Sequence, residues 1–183
     1  MFVDFQEDFG GVSYAIPGDV VSLGLWRYAG AGGMTEPHGG VEDGLFWGAC
    51  GEFKYGQEDL SLRQDGVILE ADNIVASSVE RFIENHALFS WVHDRSLGLG
   101  RRRWILSRCR GEDVRAELGL SPVVDAMDAP FFSWWEGGDV FVREGLYWSV
   151  GGRRVVLQVF SGSGNVFERV GRVVADAVVS EWE

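Results

Sequence analysis

The chain of 183 residues has few of the side chains from which common catalytic and metal sites are built. Cys50 and Cys109 are its only cysteines and belong to no CxxC pair, which excludes a disulfide framework and predicts free thiols in a reducing compartment. Lys54 is the only lysine, and there are three histidines. The serines form no GxSxG nucleophile elbow, and P-loop spacing is absent. The sequence therefore carries no strong enzyme signature.

Long apolar runs are absent as well. No segment approaches the roughly 18 uninterrupted apolar residues of a membrane-spanning helix. The N-terminal stretch "FVDFQEDFGG" lacks the basic and apolar regions of a secretory signal. We therefore expect a cytoplasmic protein that does not associate with membranes.

What the sequence does contain indicates a globular protein. Hydrophobic residues make up 46% of the chain and aromatic residues 13%, which argues against disorder and low complexity. A chain of this size buries about 70% of its unfolded surface, enough for a core without staples. We predict a single domain over residues 1–183.

Acidic residues are concentrated near the start of the chain. The net charge is −12, and residues 1–72 account for −10 of it, with thirteen acidic and three basic side chains. Residues 73–124 carry +2 and residues 125–183 carry −4. A strongly negative surface repels nucleic acid and attracts cationic partners, although solubility alone also explains acidity.

Apolar periodicity predicts an α+β fold of antiparallel strands with packed helices. In the first half, strands are expected at 12–16 and 19–26, an exposed loop at 29–44, and further strands with a hairpin turn at Asp65-Gly66. The stretch "NIVASSVERFIENHALFSWV" predicts a helix with Ser77 as N-cap. The pattern leaves open whether the two halves share one sheet.

The second half subdivides further in this interpretation. Residues 1–94 form a first part, 95–124 an inserted connector, and 125–183 a strand meander with a C-terminal helix. The connector begins with "RSLGLGRRRWILSRCR", which holds six arginines. Because the chain is acidic, we expect these arginines to pair with the protein's own carboxylates rather than with a polyanion.

Two sets of polar residues have a spacing that could support metal binding or acid–base chemistry. His86 and His93 lie seven residues apart, but His86 falls within the apolar stripe of its helix, which favours a structural role over metal binding. Glu36 and His38 flank Pro37 on a glycine-rich loop, where an acid–base pair is conceivable. A small hydrolase or transferase using Glu36, His38 and His86 is the alternative function. We predict neither cofactor nor metal.

Three stretches carry a resemblance to a known family: "FQEDFGGVSY", "QDGVILE" and "IVASSVERFIENHAL". With these, residues 5–90 resemble the SUKH superfamily of mainly bacterial immunity proteins, which neutralise polymorphic toxins. Members usually have a further N-terminal helix, and the region after residue 95 does not match. The resemblance implies a SUKH-like α+β fold, no catalysis and a protein toxin domain as partner.

Charge extends this expectation to particular residues. Nuclease toxins tend to be basic, so an acidic surface of the inhibitor would speed their encounter. The predicted partner-binding residues lie in the acidic first part of the chain: Glu36, Glu42, Asp43, Glu52, Glu58 and Asp59. A protein-binding scaffold or regulator using the same surface is a further alternative, and the oligomeric state is left open.

Overall fold

The computed structural model describes residues 13–16, 19–28, 34–36, 39–42, 45–53, 59–63, 65–70, 73–95, 99–123, 127–149 and 152–182. The spacing of Phe2, Phe5 and Phe9 predicts a short helix, and these residues lie outside the described ranges. The chain divides into two compact units, Met1–His86 and Ala87–Glu183, which we call the N-terminal unit and the C-terminal unit. The single domain, and the subdivision at residue 94, stay predictions from the sequence.

The N-terminal unit contains an antiparallel sheet. Its strand order is β1-β2-β5-β6-β7-β8, with β3 paired to β2 and β4 to β5. The strands are β1 Ser13–Ile16, β2 Asp19–Tyr28, β3 Met34–Glu36, β4 Gly39–Glu42, β5 Leu45–Phe53, β6 Asp59–Arg63, β7 Ile68–Glu70 and β8 Asn73–Ala76.

Two details of this sheet bear on the sequence predictions. The hairpin at Asp65-Gly66 is confirmed, because Gly66 takes a positive φ of 91° and its N–H donates to the Arg63 carbonyl. The predicted loop at 29–44 is wrong in part, since it contains β3 and β4. The glycine-rich sequence shows no apolar alternation, so the pattern did not predict these strands, which form by backbone pairing.

Helix α1, Val79–Arg95, begins one residue later than predicted. Ser78 accepts a hydrogen bond on its Oγ from the backbone N–H of Arg81, at 3.3 Å, and so occupies the N-cap position of this helix. The buried positions follow helical spacing and include one polar residue: Val79, Phe82, Asn85 and Val92.

The C-terminal unit is built on a six-stranded antiparallel sheet of order β10-β11-β12-β13-β9-β14. The strands are β9 Gly100–Leu106, β10 Ser121–Pro122, β11 Phe132–Gly137, β12 Val140–Ser149, β13 Gly152–Ser161 and β14 Val178–Trp182. Two helices accompany them, α2 Gly111–Leu118 and α3 Gly164–Val174. With two antiparallel sheets and three helices among the described residues, the α+β prediction is confirmed.

The segment predicted as a connector is part of this sheet. β9 lies between β13 and β14, and Trp104, Ile105 and Leu106 are buried in it. The arginines at positions 101 to 103 masked the strand, because at the solvent-facing end of a strand charge interrupts the apolar alternation.

Both faces of the sheet are covered. On one face α2 and α3 pack over a core that includes Trp104, Trp135, Leu157 and Val170. On the other face the C-terminal half of α1 contributes aromatic contacts: Phe89 meets Phe160 edge-to-face at 6.3 Å, and Trp91 meets Phe141 at 5.5 Å. Adjacent tryptophans such as Trp134 and Trp135 are more typical of a core than of an interface, and both are core residues here, at 0% and 2% exposed.

Two segments of the C-terminal unit differ from what their local sequence favours. The Glu-Gly pair at positions 144 and 145 has the composition of a turn, yet both residues lie within β12 and pair with β13. The apolar spacing from Val166 to Val178 suits one helix face, but α3 ends at Val174 and Val178 begins β14. A run of valines suits a strand as well as a helix face, and pairing with β9 decides in favour of the strand.

Candidate partner-binding surface

The predicted partner-binding residues occupy several strands of the N-terminal unit. Glu36 ends β3, Glu42 ends β4, Glu52 lies near the end of β5, and Asp59 begins β6. Asp43 and Glu58 lie outside the described residues. The segment predicted to bind a partner is thus largely sheet rather than loop.

The strand register brings two of these acids together and separates a third. Glu52 lies directly opposite Asp59 in the antiparallel pairing of β5 with β6. Glu36 lies opposite Arg27 in the pairing of β2 with β3. Like charges in directly opposite positions destabilise a sheet, whereas opposite charges favour it. The register therefore makes the Glu52 and Asp59 positions neighbours across the strand pair.

Charge is divided very unevenly between the two units. The N-terminal unit has fifteen acidic and four basic side chains, a net charge of −11, whereas the C-terminal unit has thirteen and twelve, a net of −1. Almost all the negative field therefore originates in the N-terminal unit.

One acid of the N-terminal unit is neutralised locally. At the hairpin turn, Asp65 accepts hydrogen bonds from the Arg63 guanidinium, including one from Nε at 3.1 Å. The hydrogen bonding to Arg63 lowers the pKa of Asp65 below its ordinary value, with the backbone N–H of Val67 contributing further. This exposed pair adds little to stability and does not contribute to the surplus charge.

The arginine-rich segment pairs with carboxylates of its own unit, as predicted. Arg102 lies 3.3 Å from Glu181, and Arg110 lies 2.6 Å from Asp113. Asp176 bridges Arg108 and Arg110, and chiefly the hydrogen bond from Arg110 holds the pKa of Asp176 below its ordinary value. The two Asp176 pairs join the loop before α2 to the loop after α3, so this segment has a structural use.

Glu144 is a structural carboxylate that sequence reasoning missed. Its Oε1 accepts backbone N–H groups from Arg110 at 2.7 Å and from Gly111 at 2.8 Å, at the start of α2. Burial raises the pKa of Glu144 above its ordinary value, and the two N–H groups and the Cys109 thiol offset part of that increase. The carboxylate thus caps α2 from a strand 33 residues away in sequence. No pattern in the sequence around α2 predicts a cap from so distant a residue.

A second polar feature lies on the α1 side of the C-terminal sheet. Arg143 donates from Nη1 to Oε1 of the buried Gln158 at 3.2 Å and lies over the Trp134 ring at 5.9 Å. Arg103 is opposite Gln158 in the next strand pair. These polar side chains form a row across strands and fix the register of a face that is otherwise aromatic.

The structure describes two of the three residues of the alternative enzyme interpretation. His86 is half-buried on α1 and contacts the Phe82 ring edge-on at 4.2 Å. His38 lies outside the described residues, and Glu36 is a strand position in β3. His93, 40% exposed, lies 3.8 Å from Asp94. Across the parts of the chain that the structure describes, no three metal-ligating side chains cluster.

Among the described residues, no helix has both the length and the apolar character needed to cross a membrane. Comparisons of the chain with protein families, with curated proteins and with solved structures find no match. The similarity to the SUKH superfamily therefore stays a prediction based on the three short stretches quoted above.

Proposed function

We propose that this protein is a non-catalytic immunity protein, which binds and neutralises a polymorphic toxin with a basic, nuclease-type domain. The observation that carries the proposal is the confinement of charge: a net of −11 in the N-terminal unit against −1 in the C-terminal unit. A basic domain approaching the protein would be steered toward the N-terminal unit, and such steering raises association rates by roughly 10–10³-fold.

The neighbouring Glu52 and Asp59 positions are the proposed centre of the binding surface. The β5 and β6 register places these two acidic positions directly opposite each other, so one lysine or arginine of the partner would pair with both. Glu36, opposite Arg27, has a cation beside it in register and is assigned a smaller part. The resemblance to the SUKH superfamily is the reason for proposing a toxin domain as the partner.

The proposal is tested by co-expressing the protein with a candidate toxin encoded next to it, and by measuring binding of the purified pair. Steering by exposed charges weakens as salt rises, because charges more than about 10 Å apart are screened at 0.1 M ionic strength. We therefore expect the association rate constant to fall with salt while the dissociation rate changes little.

A matched pair of variants locates the surface. Glu52→Gln with Asp59→Asn removes two charges without changing side-chain size, and should slow association by about threefold to tenfold at low salt. Glu136→Gln with Asp139→Asn removes the same chemistry from the exposed β11 to β12 hairpin and should leave the rate nearly unchanged. Equal effects of the two double variants, or association that does not respond to salt, would refute the assignment.

A further inference from the structure

Strand β14 forms one outer edge of the C-terminal sheet. It is hydrogen-bonded to β9 on one side, and within the described ranges no strand pairs with its other side. The outer side of an edge strand presents backbone donors and acceptors in the spacing that another strand requires. Ser180 has interactions within the chain. The residues of β14 that bear on pairing with a further strand are therefore Val178, Val179 and Glu181.

The opposite edge of the same sheet is unsuited to pairing. β10 comprises only Ser121 and Pro122, and proline has no backbone N–H to donate. The sheet therefore has one edge that is long enough to accept a further strand.

Exposure distinguishes β14 from an ordinary protected edge. Val178 and Val179 are 38% and 53% exposed, and with Trp91 they are the exposed large apolar residues of the described chain. Edge strands that avoid association usually carry lysine or proline, and β14 has neither. A register shift at Val179 marks a bulge, which shortens the regular ladder and limits the affinity of an added strand without removing the edge.

Charge identifies a second copy of this chain as the strand that fits. Glu181 is the one charged residue of β14, and Arg102 lies 3.3 Å from it. In an antiparallel pairing centred on position 180, Glu181 of one copy comes opposite Val179 of the other, so no two carboxylates oppose each other. The C-terminal unit carries a net charge of only −1, which makes it the part of the chain where two copies meet with least repulsion.

We propose that two copies of this chain associate through antiparallel pairing of β14 with β14, which joins the two C-terminal sheets across a two-fold axis. Because the other edge of each sheet is closed, the association stops at a pair and forms no fibre. A five-residue edge buries less than the roughly 1,000 Å² of a stable interface, so the dimer is transient, with a dissociation constant in the micromolar to millimolar range. The proposal goes beyond toxin binding and does not depend on it.

Sedimentation equilibrium of the full chain over micromolar to millimolar concentration tests the proposal. The wild type should shift from monomer to dimer, and Val179→Lys should raise the dissociation constant by about tenfold or more, because a lysine at the edge disfavours strand addition. Ala116→Lys adds the same charge at an exposed position of α2 and should leave the constant within about twofold. Equal weakening by both lysines would show that the effect is not specific to the β14 edge, and no weakening by Val179→Lys would point to another surface; either result overturns the proposal.

Hydrogen exchange of the wild type provides a measurement that needs no variant. The amides of β14 should gain protection as the protein concentration rises, while amides in α3 should not. A chain that remains monomeric, with exchange in β14 independent of concentration, contradicts the proposal. Protection of β14 that arises only when a toxin is bound would assign the edge to the toxin instead.

Discussion

Removal of the Glu144 carboxylate should destabilise the start of α2. Its Oε1 accepts the N–H groups of Arg110 and Gly111, at 2.7 and 2.8 Å. Hydrogen bonds to a charged group contribute about 1.5–3 kcal/mol each, and the cost of burying the carboxylate offsets part of the sum. Glu144→Ala should therefore lower the free energy of unfolding by about 2–4 kcal/mol, since both N–H groups lose their acceptor.

Glu144→Gln distinguishes the contribution of the negative charge from that of the hydrogen bonds at the start of α2. The amide keeps an acceptor oxygen for the two N–H groups and loses the negative charge, so its cost at neutral pH should be about 1 kcal/mol or less. Equilibrium urea unfolding at a series of pH values measures both variants, with exchange of the α2 amides as a local probe.

The pH dependence gives the sharper test. Because burial raises the pKa of Glu144, the folded chain binds this proton more tightly than the unfolded chain. Wild-type stability relative to Glu144→Gln should therefore increase as pH falls through the raised pKa toward the ordinary value of 4.5. If the difference instead moves in favour of the glutamine variant as pH falls, the hydrogen bonds outweigh burial and the reasoning is wrong.

The remaining predictions concern packing and surface charge. At Gly111 an added Cβ would lie 2.3 Å from the Trp135 ring, so Gly111→Ala should destabilise by about 1–3 kcal/mol in thermal unfolding. Gly164→Ala, where no atom lies within 4 Å of the added Cβ, should be neutral or slightly stabilising, and equal losses would contradict the packing. Asp176→Asn removes an exposed ion pair with Arg110 and should lower the free energy of unfolding only slightly. Because the pKa of Asp176 is lowered in the folded protein, this stabilisation is present above the ordinary value of 3.8 and is lost as pH falls through the lowered value. Urea unfolding of both proteins between about pH 2 and 5 measures this loss.

Local patterns were sufficient for the elements whose signals lie within a few residues. The Asp65-Gly66 hairpin, the helix beginning near residue 79 and the buried Trp134 and Trp135 all follow from turn chemistry and apolar spacing. The sequence alone also located the surplus charge, because a sum over side chains needs no coordinates.

Only the tertiary structure decided the roles of residues whose partners are distant in sequence. β9 became an inner strand because β13 and β14 pair with its two sides, and Glu144 became a helix cap because β12 carries it to α2. Likewise, the register that sets Glu52 opposite Asp59 arises from the alignment of two strands. Composition and periodicity report what each residue prefers, whereas strand pairing determines which residues meet, since backbone hydrogen bonds form between strands irrespective of their side chains.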